Sequence, residues 1–266
     1  MSEKIEDPKN TEEEEENCPN RRIEMLQEYN IDVDAGRIEL FAEEVFAYNG
    51  ILEFGEEPGV EYCMASRFIR NIGLLADIYE VKEKPLEERS PILVEMKTCG
   101  GDWSEGMAIY HAIRAATKKC PVTILSYTHA RSMSSIILQA ATKRVLMPES
   151  TFMIHHGQLG MAMQEEETFY SDLDFHRNNY DCRKRMLDIY VNALKHGGSL
   201  KDENEDKIRE TLLEMMVRKN NVWWTEWGAV EVGFADLVWD DYDEKRLYEY
   251  TPEDFARNNN FKPRYK

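Results

Sequence analysis

Apolar and polar positions follow two rhythms along this chain, and the switches between them mark out its elements. Arg37–Phe41 (RIELF) and Pro91–Lys97 (PILVEMK) read as β-type runs, while Glu61–Leu75 repeats its apolar residues at helical spacing. The second run ends in Cys99-Gly100-Gly101, and a helix is expected over Ser104–Lys118, with Met107, Ile109, Ile113 and Ala116 among its apolar positions. A strand at Val122–Tyr127, an apolar helix at Ser132–Ala141 and short strands at Arg144–Met147 and Thr151–His155 follow. Strands alternating with helices imply right-handed crossovers and a mainly parallel sheet, so the expected class is α/β.

The rhythm then changes. Gln164–Lys195 contains neither Gly nor Pro and stops at Gly197-Gly198. One helix of about 30 residues would reach roughly 45 Å, more than a compact domain needs. Two helices with a kink and an arm for oligomerisation are the two readings. Beyond it, Thr225 caps a short helix ending at Gly233, and Phe234–Trp239 is the last expected strand. Residues 1–20, with the run Glu12–Glu16, read as an acidic disordered tail, and residues 251–266 as a polar C-terminal tail. Residues 21–250 between them form a single domain, with the helical arm at about 164–196.

Charge narrows the function. Against 33 Lys+Arg stand 51 Asp+Glu, a net −18, and a phosphate backbone would repel such a chain, so nucleic acid is not expected as a partner. No apolar run approaches the roughly 20 residues of a membrane span, and MSEKIEDPKN lacks the apolar core of a signal peptide. The five cysteines are scattered, odd in number and without a CxxC pair, which fits reduced thiols in the cytoplasm.

Three short segments carry candidate chemistry. Ser132-Met133-Ser134-Ser135 opens a helix directly after a strand, where backbone N–H groups point outward; a plain N-cap serine has the same signature. Met153-Ile154-His155-His156 closes the strand after that helix. Ligands of open α/β sheets bind at the carboxyl ends of strands, and a histidine there is suited to act as general base. Neighbouring residues of a strand alternate sides, so at most one of the two faces the serine. Cys99-Gly100-Gly101-Asp102 is an oxyanion-binding loop or simply a turn. The chain has no P-loop, no GxGxxG and no HExxH, so neither cofactor nor metal is expected.

Taken in order, Gly100-Gly101, Gly106-Met107-Ala108-Ile109-Tyr110, Ala130-Arg131-Ser132-Met133 and Met153-Ile154-His155 resemble the proteolytic subunit of the Clp protease, ClpP. The likeness is strongest over Arg37–Gly157 and resumes at Ala229–Asp236. It implies the ClpP/crotonase-like α/β fold of repeated ββα units with a long protruding helical handle. It also implies a serine endopeptidase that hydrolyses unfolded polypeptides inside stacked homo-oligomeric rings, fed by an ATP-driven unfoldase. The resemblance makes Ser132 the nucleophile and His155 the base, and puts the oxyanion hole on the N–H groups of Gly101 and Met133.

This chain departs from the family pattern at three places. Arg131 replaces a small residue in the nucleophile turn, where it would narrow the site or set substrate preference. Cys99 stands where the family has proline. Counting back from Trp223-Trp224-Thr225, the third catalytic position falls on Asn221, which can orient His155 but supplies no charge. Extra residues within Lys201–Met216 leave Asp202, Asp206 and Glu226 as alternatives. The departures raise two further readings: an inactive structural subunit that co-assembles with an active paralogue, and a phage head-maturation protease. Acyl-CoA enzymes of the crotonase type lack a Ser-His pair at these positions.

Overall fold

The computed structural model describes residues 24–26, 28–41, 59–157 and 169–239. The two expected tails, Cys18 and the first residues of the expected arm lie outside them. Six strands form the main path of one mixed sheet: β1 (Ile31–Asp32), β2 (Arg37–Phe41), β3 (Ile92–Thr98), β4 (Val122–Arg131), β5 (Lys143–Leu146) and β8 (Leu237–Val238). From β2 to β8 every neighbour is parallel, and only β1 runs against β2. The parallel run follows from the crossover helices α1 (Tyr62–Tyr79), α2 (Trp103–Ala116) and α3 (Met133–Leu138). One side of the sheet packs Ile38, Val94 and Ile124 among Phe68, Ile72 and Ile113 of α1 and α2. The alternate residues Leu93, Leu125 and Val145 face the other way and pack with Leu237 and Trp239.

Strand β4 is longer than the sequence pattern predicts, and the extra length creates the site. Its first half pairs with β5 from Thr123↔Lys143 to Ser126↔Leu146. The register against β3 then shifts between Met96 and Thr98, and the Ser126 hydroxyl donates to the His129 carbonyl across the irregularity. Past the shift, His129–Arg131 pairs in parallel with β6 (Thr151–Ile154), and β6 pairs antiparallel with β7 (Val222–Thr225). One strand thus serves two neighbours in succession.

The long arm is a single helix, α4 (Phe169–His196), of 28 residues with no break, which corrects the two-helix reading. Its C-terminal half is anchored by Met186, Leu187, Tyr190 and Leu194, all buried. Helix α5 (Glu205–Lys219) presents a thin apolar stripe of Ile208, Leu212 and Met216 to the core. Helix α6 (Glu226–Val232) is capped by the Thr225 side chain, as expected, and ends at Gly233 with φ 111°. Arg144, itself buried, and the more exposed Asp236 then tie β5 to the chain leading into β8 with an ion pair at 2.6 Å. No helix among the described residues is long and apolar enough to cross a membrane.

Candidate active site

Parallel pairing brings the serine and the histidine together. Arg131 of β4 is in register with Met153 of β6, and the next N–H, that of Ser132, donates to the Met153 carbonyl at 3.1 Å. The two strands end side by side, so Ser132 and His155 emerge at the same carboxyl edge. His155 Nε2 lies 2.7 Å from Ser132 Oγ. Both residues line a cleft of about 370 Å³, together with Gly101 and Met133.

Ser132 is held in an uncommon backbone conformation. Its φ of 53° and ψ of −128° fall where non-glycine residues are rare, on a sharp strand-to-helix turn that lifts the hydroxyl out of the sheet. Neighbouring hydroxyls clamp the turn. Ser134 Oγ accepts from Arg131 N–H at 2.8 Å and donates to the Arg131 carbonyl at 2.7 Å. Ser135 Oγ donates to the Ser132 carbonyl at 2.6 Å and lies 2.7 Å from Tyr190 Oη. Because the Ser135 proton is committed to that carbonyl, the Tyr190 hydroxyl must be the donor in the second contact. Tyr190 is fully buried on α4, so the long helix reaches the nucleophile turn through two hydroxyls.

The glycine loop docks against the same turn. Gly100 has φ 101°, and a Cβ there would meet Met133 N and Ser132 Cβ at 2.8 Å. Gly100 O accepts from Val60 N–H at 2.6 Å, and Asp102 N–H donates to Val60 O at 3.0 Å. The N–H of Gly101, between them, points away from that ladder as alternate strand groups do. Gly106, one turn into α2, is open to the Met133 side chain, whose Cγ a Cβ would meet at 2.1 Å. The four residues expected at the centre (Ser132, His155, Gly101 and Met133) are therefore gathered on one cleft.

The histidine side is different. Burial lowers the His155 pKa below the usual imidazole value, and the adjacent His156 adds to the effect. If Nε2 accepts the Ser132 proton, the ring proton sits on Nδ1, and no described residue accepts a hydrogen bond from it. The antiparallel ladder pairs Ile154 with Val222, so one step further His155 stands across from Asn221. Asn221 is exposed and its side chain is not bonded to His155. Of the alternatives, Asp202 and Asp206 are exposed, Glu226 accepts from Glu149 N–H at 3.2 Å, and none of the three lines the cleft.

Arg131 and Cys99 are not among the residues that line the cleft, although the backbone of Arg131 holds the nucleophile turn through Ser134 Oγ. The far wall comes instead from α4, through Asn179, Cys182, Arg183, Met186 and Tyr190. Their three- and four-residue spacing was visible in the sequence, but nothing in it showed which face meets the strand ends. Both histidines border the cleft, although only His155 reaches Ser132. Among the described residues no three of His, Cys, Asp and Glu converge as metal ligands would.

Comparison with known proteins points the same way. The Clp protease family model matches residues 82–241, more than half of the chain. The chain is 29% identical over 190 residues to the ATP-dependent Clp protease proteolytic subunit of Deinococcus radiodurans, covering 70% of this chain and 79% of that protein. It is 30% identical over 136 residues to the ATP-dependent Clp protease proteolytic subunit 2 of Prochlorococcus marinus, covering 50% of this chain and 64% of that protein. Among solved structures it resembles an asparagine-to-aspartate mutant of ClpP1 from Listeria monocytogenes, with a TM-score of 0.55 and 15% identity over 79% of this chain and 95% of that one. At that identity the structural likeness speaks for the fold alone.

Proposed function

The chain belongs to the Clp protease family, whose members are classed as serine peptidases, and on that footing we propose that it is an endopeptidase whose nucleophile is Ser132. The observation that carries the reading is the 2.7 Å contact between Ser132 Oγ and His155 Nε2, made by a serine on a strained, clamped turn. His155, held neutral by its burial, takes the Ser132 proton as Oγ attacks the scissile carbonyl carbon. The N–H groups of Gly101 and Met133 stabilise the oxyanion. His155 then returns the proton to the leaving amine, and water releases the acyl group from Ser132. Asn221 serves as third member, accepting from His155 Nδ1 through its side-chain oxygen once the assembled site closes; the ladder register between β6 and β7 supports the assignment.

The wider reading follows the relatives. The fold is of the ClpP/crotonase-like type, and α4 is the handle by which rings of this chain stack into a chamber. Unfolded polypeptides enter it from an ATP-driven unfoldase. None of the four described cysteines is in a disulfide, which fits the cytoplasm. Residues 21–250 form the peptidase domain, and the acidic segment 1–20 gates entry or meets the partner. A second reading, a ring subunit without turnover of its own, is favoured by one observation: His155 Nδ1 meets no described acceptor.

One experiment separates the two. A fluorophosphonate probe is added to the wild type, Ser132→Ala and His155→Ala, and native mass is read on the same samples. Labelling of the wild type that both substitutions abolish establishes an activated serine. An assembled wild-type ring that stays unlabelled overturns the peptidase reading in favour of the structural subunit.

A further inference from the structure

Helix α4 shows the cleft one stripe of side chains, and its polarity changes along the helix. Tyr190, Met186, Arg183 and Asn179 recur at three- and four-residue intervals, the spacing that stacks side chains on one face. Tyr190 and Met186 are buried and, with Ile136, make an apolar floor. Toward the N-terminal end of the helix, Arg183 and Asn179 share the cleft with His156.

This end of the cleft is rich in donors and poor in acceptors. His156 Nδ1 and Asn179 Nδ2 are buried atoms without a hydrogen-bond partner. Arg183 makes no ion pair with a described carboxylate, and its charge is felt by His156. Burial and that charge both push His156 toward its neutral form. Asp102 is the acidic residue on the cleft, and its Oδ1 is engaged in capping α2, accepting from Glu105 N–H at 2.9 Å. Buried donors without acceptors are a standing penalty that a ligand's oxygens can relieve. An arginine among them selects a carboxylate over an amide.

We propose that this end of the cleft is a subsite for a glutamate side chain of the peptide substrate, at the residue whose carbonyl Ser132 attacks. Its carboxylate accepts from Arg183, from Asn179 Nδ2 and from His156 in the Nδ1–H form. Its methylenes lie on the floor of Met186 and Ile136, which is why the longer acid fits and aspartate falls short. The net charge of −18 disfavours acidic peptides at long range, but that repulsion is screened beyond about 8 Å at physiological salt, so the contacts within the cleft decide. The proposal deepens the peptidase reading and rests on it.

Binding measured without turnover keeps the two separable. Full-length Ser132→Ala protein is titrated with three fluorescent peptides that differ only in carrying Glu, Gln or Leu at that residue. The Glu peptide is expected to bind about tenfold tighter than the Gln peptide, the scale of one charge-assisted hydrogen bond. Adding Arg183→Gln should bring the ratio close to one. Arg183 is exposed, so the exchange is compatible with folding, and Arg183→Glu supplies a gain that misfolding could not imitate: a peptide with Lys at that residue should overtake the Glu peptide. Equal binding of Glu and Gln, or a preference that survives Arg183→Gln, overturns the subsite. Failure of the peptidase reading appears elsewhere, as an unlabelled Ser132 in the wild type, whatever the peptides do.

Discussion

Ser132 and His155 stand 2.7 Å apart, yet different forces hold them. The serine turn is fixed by hydrogen bonds: Ser134 closes it, Ser135 holds its carbonyl, and Tyr190 backs Ser135. The histidine strand is fixed by packing. Phe152 stacks on Phe234 with ring centroids 4.6 Å apart, and Trp224 of β7 meets the same ring at 5.2 Å. On the serine side the Ser134, Ser135 and Tyr190 hydroxyls all have partners, whereas His155 Nδ1, His156 Nδ1 and Asn179 Nδ2 have none among the described residues. A nucleophile held in a strained conformation needs directional bonds to keep it there. A base that must accept and return a proton needs only a fixed ring plane, which aromatic packing supplies. Tyr190 belongs to both systems, since its ring meets Phe234 edge-on at 5.5 Å while its hydroxyl serves Ser135.

The comparison breaks most severely at Phe234. This ring is wholly buried and touches β6, β7 and α4 through Phe152, Trp224 and Tyr190, so Phe234→Ala should cost about 3–5 kcal/mol of stability. Denaturant melts check this. A loss below 1 kcal/mol would mean that packing does not fix the histidine strand. The hydrogen-bonded side yields smaller effects. Ser135→Ala strands the buried Tyr190 hydroxyl and leaves the Ser132 carbonyl only the Ser135 N–H at 3.1 Å, and should cost about 1–3 kcal/mol. Tyr190→Phe leaves the Ser135-to-carbonyl bond in place, so turnover should fall less than in Ser135→Ala. Equal losses of kcat in the two variants would show that the hydroxyl pair does not act as a directed chain.

The serine side was also the more legible in the sequence, and the reason is physical. Ser132 and His155 are placed by local grammar: each follows an apolar strand, and strand ends of a parallel sheet share one edge. The clamp is half local, since Ser134 and Ser135 lie within three residues of the atoms they hold. Tyr190, Arg183 and Asn179 are not legible, because a helix carries several candidate faces and only the tertiary contact selects one. Strand β7 was missed for another reason. Val222–Thr225 has four residues, one of them buried, and forms a strand because β6 offers an edge to pair with. Helix α5 was hidden by its charge, its buried positions being confined to every fourth residue. The extension of β4 past Tyr127 depends on the shift beside Thr98, a property of the pairing rather than of either strand alone.

The smallest change tests how open the histidine side is. The ladder sets Asn221 across from His155, so Asn221→Asp would introduce a carboxylate one step from an imidazole that has none beside it among the described residues. The His155 pKa lies below its usual value, so its neutral form persists into mildly acid solution and the acid limb of kcat/KM should fall below about pH 6.5, the ordinary histidine pKa. A nearby negative charge stabilises the imidazolium and raises that pKa, so in Asn221→Asp the limb should move to higher pH by about one unit. Above the limb the rate should rise, because aspartate both fixes the Nδ1–H tautomer and stabilises the charge formed during attack. The gain should stay well short of the roughly 10⁴ that separates aspartate from asparagine in a built serine triad, since position 221 is exposed and solvent would screen the new carboxylate. A pH profile superimposable on that of the wild type would remove Asn221 from the site and leave Ser132 and His155 to work as a pair.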